Sequence, residues 1–240
     1  MQLEMELGFR SSFYFVPEDY SIETNLRRLL IENGFEVGLH GLNHKGNLFR
    51  SRTSFLKKVP RINQYLKEWD ACGFRAPCMY HNLEWTHHLE VAYDASTFDT
   101  DPFEPQCDGV GTVFPFCVQH SSGQSSFVEL PYTLPQDFTL FVLMKERGID
   151  IWKRKLDWIA KKGGMALFIT HPDYMNFGSS RLRVEEYPAR YYEDFLRYVQ
   201  STYEGQYWNP IPKVLTQFWN ENYAMVVKPR RADTHEIKER

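Results

Sequence analysis

The sequence is poor in long apolar runs. None approaches the roughly eighteen residues that a membrane span needs, so no transmembrane segment is expected. Its opening, Met1-Gln-Leu-Glu-Met-Glu-Leu7, is acidic and helix-like and lacks the basic-then-apolar layout of a secretory leader, so a cytoplasmic location is expected. Charge of either sign is not in excess. With 28 basic and 31 acidic residues the formal charge is −3, which implies no field strong enough for nucleic acid. Cysteine is sparse, and Cys72, Cys78, Cys107 and Cys117 show no Cys-x-x-Cys spacing, which favours reduced, mostly buried thiols over a disulfide. Internal repeats and low-complexity segments are absent as well.

What is present suits one substantial domain with a real core. The chain has 240 residues, and 16% are aromatic, a content that serves sugar stacking and core filling equally well. Short apolar runs alternate with helix-periodic segments. A helix ends at Gly8, and Ser11 to Val16 reads as a strand closed by Pro17. Ser21 can cap a helix with Ile22, Leu26, Leu29 and Leu30 on one face, ending at Gly34, and a strand then runs to His40. Phe55, Val59, Ile62, Leu66 and Trp69 mark a further helix, with Pro60 at a start or kink. Short strands are expected at 73–77 and 91–94, a long insertion over 97–126, and a strand at 127–131. Asp150 is expected to cap a helix stopped by Gly163-Gly164, and Met165 to His171 reads as the clearest buried strand of the chain. Two helices follow, around 191–199 and 214–219, and then a charged tail. This β–α alternation is the pattern of a parallel sheet or barrel.

Polar residues gather where these strands end, the usual place for catalytic groups in such folds. His40 and His44 are four residues apart, close enough for two neutral imidazoles to reach one divalent cation if the segment turns. Arg75 stands before Pro77, and His171 before Pro172 and Asp173. Taken singly, each has an ordinary structural explanation: a surface or core histidine, or a salt-bridging arginine.

Taken together, these segments resemble the polysaccharide deacetylase family, the metal-dependent carbohydrate esterases that remove N- or O-acetyl groups from glycans. The likeness runs from about Leu3 to Trp219. His40-Gly-Leu-Asn-His44, preceded by Glu36, is similar to the family's metal-binding His-x-x-x-His segment. Arg75-Ala-Pro77 is similar to its Arg-x-Pro segment, in which the arginine orients the catalytic carboxylate and the backbone N–H after the proline, here Cys78, serves the oxyanion. Tyr93-Asp94-Ala-Ser96 resembles the segment that follows, and Ile169-Thr-His171 the late motif whose histidine protonates the leaving amine.

The resemblance implies an α/β fold, an irregular (β/α) barrel of about seven strands, with one domain over 1–227 and the charged tail over 228–240. It implies a deacetylase with His40 and His44 as metal ligands, zinc as the first choice of metal, and His171, Arg75 and Asp94 as catalytic candidates. Pro77 and Ile169 are candidate substrate contacts, and a glycan or sugar conjugate is the partner. Two departures stand out. The family's Asp-Asp strand, which supplies the general base and a third metal ligand, has no match; Asp19 is the only aspartate before His40 and sits in a turn. The later Asp-Trp pair falls on Thr97 and Phe98, with Asp99 shifted. A barrel without its first strand exposes a sheet edge through which oligomers are expected. Two other readings stay open: a catalytically impaired barrel that binds a glycan or scaffolds an assembly, and a different metallohydrolase completed by Asp94 or Asp173.

Overall fold

The alternation of residues in β1 (Ser12–Phe15) sets up two unlike faces of the sheet. Phe13 and Phe15 pack into the cluster formed by Phe35, Val37, Leu39 and Phe74. Tyr14 points the other way, toward Tyr93, Ala95 and Val128. In this computed structural model, residues 1–104, 106–121, 126–178 and 181–223 are described. The tail expected over 228–240 lies outside them.

Six strands form one sheet in the order β1-β2-β3-β4-β6-β5, with β2 (Glu36–Leu39), β3 (Gly73–Phe74), β4 (Tyr93–Asp94), β5 (Phe116–Gln119) and β6 (Ser126–Glu129). All neighbours are parallel except β5 and β6. A separate parallel pair joins β7 (Met175–Asn176) to β8 (Tyr187–Pro188). The sheet does not close: among the described residues β1 pairs with β2 alone.

Helices α2 (Thr24–Glu32) and α3 (Arg52–Trp69) follow β1 and β2, and Phe55, Ile62 and Leu66 of α3 are fully buried in the first cluster. Ser51 caps α3 by accepting from Ser54 N–H, so Pro60 lies well inside the helix rather than at its start. α2 begins at Thr24, with Glu23 rather than Ser21 at its N-cap. A second core forms where α5 (Asp150–Lys162) and α6 (Arg190–Thr202) meet around Trp152 and Phe195. Asp150 is the first residue of α5 and not its cap, which is Ile149. α7 (Pro212–Tyr223) lays Leu215 and Trp219 against the Tyr93 face of the sheet.

Two further expectations are corrected. The insertion over 97–126 contains β5, which adds an antiparallel edge beyond β6. Met165 to His171 is extended but forms no regular ladder. The Thr133 hydroxyl accepts from Leu167 N–H at 3.0 Å and donates to Met165 O at 2.8 Å, so a side chain occupies the place of ladder partners. Backbone bonds from Thr133, Leu134 and Asp137 N–H to Leu167 and Ile169 carbonyls still hold the segment beside 133–137.

The ends of the described chain are stitched to distant residues. Glu4 of α1 (Gln2–Glu6) accepts from Tyr192 Oη at 2.8 Å, and Arg10 N–H donates to Asn209 Oδ1 at 3.0 Å.

Candidate active site

His40 follows β2 directly. Its Nδ1 lies 2.9 Å from the Arg75 carbonyl, which can only accept, so Nδ1 carries the hydrogen. Burial pulls this imidazole down to about 3, and the nearby His44, Arg75 and His171 push in the same direction. The ring is therefore neutral, with a lone pair on Nε2, the state a metal ligand needs. His44 lies on the following turn, its ring centroid 5.1 Å from that of His40. Asp19 accepts from His44 N–H at 2.6 Å and anchors that turn.

The turn also leans on the segment after β3. Gly41 has φ +65°, and a Cβ there would lie 2.6 Å from Pro77 Cγ, so both backbone sign and space require glycine. Beyond Pro77, Cys78 and Met79 both adopt φ near +56°, an uncommon and strained pairing for residues with side chains. Cys78 Sγ comes within 3.8 Å of His44 Nδ1. Arg75 Nε donates to Ala95 O at 3.0 Å, and the guanidinium lies 4.5 Å from the centre of the Tyr14 ring. Among the described residues no carboxylate forms an ion pair with it.

His171 closes the site from the other side. Asp137, fully buried at the start of a π-helical turn (Phe138–Leu143), accepts from the His171 backbone N–H at 2.6 Å. Its other oxygen lies 2.7 Å from His171 Nδ1, and Tyr187 Oη donates at 2.9 Å to the oxygen that accepts the backbone N–H. This fixes hydrogen on Nδ1 and leaves Nε2 facing away from Asp137. Ile169 is buried with Met79, Phe98 and Tyr132, behind the turn that carries Cys78.

The structure thus brings His40, His44, Arg75, Cys78 and His171 together, and it keeps Asp94 apart. Tyr93 and Ala95 share the face of Tyr14, so Asp94 points to the opposite face of the sheet, where it is fully buried. Asp173 sits exposed in the Pro172–Tyr174 turn. Asp99 is engaged by Lys155. Sequence reading missed Asp137; its one local signal was an aspartate between Pro135-Gln136 and an apolar run, a position suited to opening a helical turn.

Among the described residues no three His, Cys, Asp or Glu side chains stand close enough to hold a metal ion. The two imidazoles suit two positions of a divalent ion, one short of the three protein ligands usual in catalytic zinc sites.

The mostly parallel, open β/α sheet carries these side chains near its strand ends, and its fold is that of deacetylase-like (β/α) barrels. Solved structures agree. A protein assigned as a polysaccharide deacetylase from Mycobacterium smegmatis matches with TM-score 0.67 and 18% identity, over 98% of this chain and 79% of that one. The Puue allantoinase matches with TM-score 0.62 and 15% identity, over 92% and 71%. A protein assigned as a polysaccharide deacetylase from Pseudomonas aeruginosa PAO1 matches with TM-score 0.59 and 15% identity, over 92% and 71%. At these identities the likeness establishes the fold. No protein-family profile and no curated protein matches the sequence. Among the described residues no helix is long and apolar enough to cross a membrane.

Proposed function

We propose that the chain is a hydrolase that removes N- or O-acetyl groups from a polysaccharide or sugar conjugate. The observation that carries this reading is the convergence of the His40–His44 pair, the strained Cys78 turn and the Asp137-held His171 at one end of a deacetylase-like sheet. His40 and His44 are the ligands through which a divalent ion, zinc first, would bind weakly and polarise the acyl carbonyl. The Cys78 N–H would stabilise the developing oxyanion. His171, with Nδ1–H held by Asp137, would take a proton from the attacking water at Nε2 as the new C–O bond of acetate forms, and return it to the leaving nitrogen or oxygen as the C–N or C–O bond breaks. Beside the Cys78–His44 contact, a groove of about 220 Å³ lined by Phe49, Tyr80, Arg50, Asn47 and Gln106 offers aromatic faces and polar groups suited to a sugar ring.

The test is acetate release from acetylated chito-oligosaccharides and other acetylated glycans, with zinc binding followed by calorimetry. Turnover is expected to fall with His171→Ala, and zinc binding with His40→Ala or His44→Ala. Turnover that survives His40→Ala would remove the metal reading.

A second reading has its own support. Arg75 has no carboxylate partner and the histidine pair no third ligand among the described residues. On that reading the chain binds acetylated glycans without hydrolysing them, and retention on the glycan with no acetate released would favour it.

A further inference from the structure

Asp94 and Glu129 are both fully buried and stand directly opposite one another in the β4–β6 ladder. Each carboxyl gives one oxygen to the turn after β4. Asp94 Oδ1 accepts from Ser96 Oγ and from Ala95 N–H at 3.0 Å. Glu129 Oε1 accepts from Thr97 Oγ1 at 2.6 Å, Thr97 N–H at 2.9 Å and Ser96 N–H at 3.2 Å. The remaining oxygens, Asp94 Oδ2 and Glu129 Oε2, are buried and have no hydrogen-bond partner. Two buried carboxyls that face each other across a ladder, each with one unpartnered oxygen, can satisfy both oxygens only by sharing a proton.

That turn supports the candidate site. Ser96 Oγ accepts from Ala76 N–H at 2.8 Å, and Ala95 O accepts from Arg75 Nε at 3.0 Å. Ala76 leads into the Pro77–Met79 turn that carries Cys78. We propose that Asp94 and Glu129 are a positioning pair: they share one proton across β4 and β6, and by fixing the 95–97 turn they hold Arg75 and the Cys78 turn in place. The pair never touches substrate. Its link to catalysis, though not its existence, rests on the deacetylase reading.

Burial raises both carboxyls, Asp94 to about 6 and Glu129 well above the ordinary range, in keeping with one retained proton. The titratable group nearest in effect on Asp94 is His81, whose Nδ1 faces Met79 O and whose Nε2 lies 3.4 Å from Asp108. His81 is common to wild type and variants, so only differences between them are read.

The experiment uses the full chain in two measurements. Urea midpoints are followed from about pH 5 to about pH 9 for wild type, Glu129→Gln and Asp94→Asn. An amide donates where the shared proton sat and cannot lose it, so both variants are expected to lose much of the wild-type fall at high pH. An unchanged fall would overturn the shared proton. Alkylation of Cys78 and Cys72 is then compared in wild type, Glu129→Gln and Glu129→Ala. Glu129→Ala is expected to raise Cys78 labelling about tenfold over its effect on Cys72, while Glu129→Gln restores wild-type labelling. Equal rises at both thiols would show general loosening and overturn the positioning role. If both results are as expected yet no variant or wild type releases acetate, the pair stands and the deacetylase reading fails.

Discussion

Asp137 grips His171 at two points, accepting from its backbone N–H with one carboxylate oxygen and from its ring Nδ1–H with the other. The ring can then neither turn nor change tautomer without breaking a buried bond. Asp137→Asn keeps one acceptor oxygen, which the His171 backbone N–H and Tyr187 Oη claim, and turns its amide N–H₂ toward Nδ1. Acetate release is expected to fall by about 10²–10⁴, the usual worth of a positioned general acid. Nitrogen-15 spectra of the imidazole should show the Nε2–H tautomer gaining population. An unchanged tautomer with full activity would remove Asp137 from the site.

Stability should expose the close packing between β3 and β4. A Cβ on Gly73 would lie 2.1 Å from Tyr93 Cζ and Oη, inside the fully buried core. Gly73→Ala is expected to destabilise by about 1–3 kcal/mol or more through overpacking. Gly148→Ala, where a Cβ meets nothing within 4 Å, should stay within about 0.5 kcal/mol. Urea midpoints of the two variants make the comparison.

Glu36 predicts a pH dependence of its own. Burial raises its carboxyl above the ordinary value, against bonds from Lys213 N–H, Tyr93 Oη and Cys72 Sγ that lower it. A raised folded-state value means the native chain holds the proton more tightly than the unfolded one. That stabilisation is full below the ordinary carboxylate range and is lost as pH rises through the folded value. Glu36→Gln should therefore flatten part of the fall in melting temperature between mildly acidic and neutral pH. A fall identical to wild type would assign the dependence elsewhere.

The unpaired side of β1 predicts association. Strand edges invite pairing with another chain, and β1 pairs with β2 alone among the described residues. Light scattering during size exclusion should show the mean mass rising with protein concentration. A mass fixed at one protomer across the range would mean that this edge is covered.

Much of this was legible in the residues, and where it was not the cause is identifiable. His40 and Arg75 directly follow the neighbouring parallel strands β2 and β3, so their grouping needed only the parallel topology, whereas His171 ends an extended segment held beside 133–137 outside the sheet. Asp94 looked like a site residue because it lies among those motifs, but strand alternation turns it to the far face, and one residue of register decides that. The expected ladder at Met165–His171 failed because the Thr133 hydroxyl competes for the same backbone groups, which no apolar run reveals. Asp137 stayed hidden because its partner lies 34 residues away and only tertiary structure joins them.

The contacts from Glu4 to Tyr192 and from Arg10 to Asn209 join residues 188 and 199 positions apart. During synthesis on the ribosome, the first helix and the β1 region emerge long before these partners exist. Loop closure over such distances is slow, and an exposed strand waits meanwhile with its edge unpaired. Chaperone dependence during translation, and poor recovery after dilution from denaturant at high protein concentration, follow from that one arrangement of the chain.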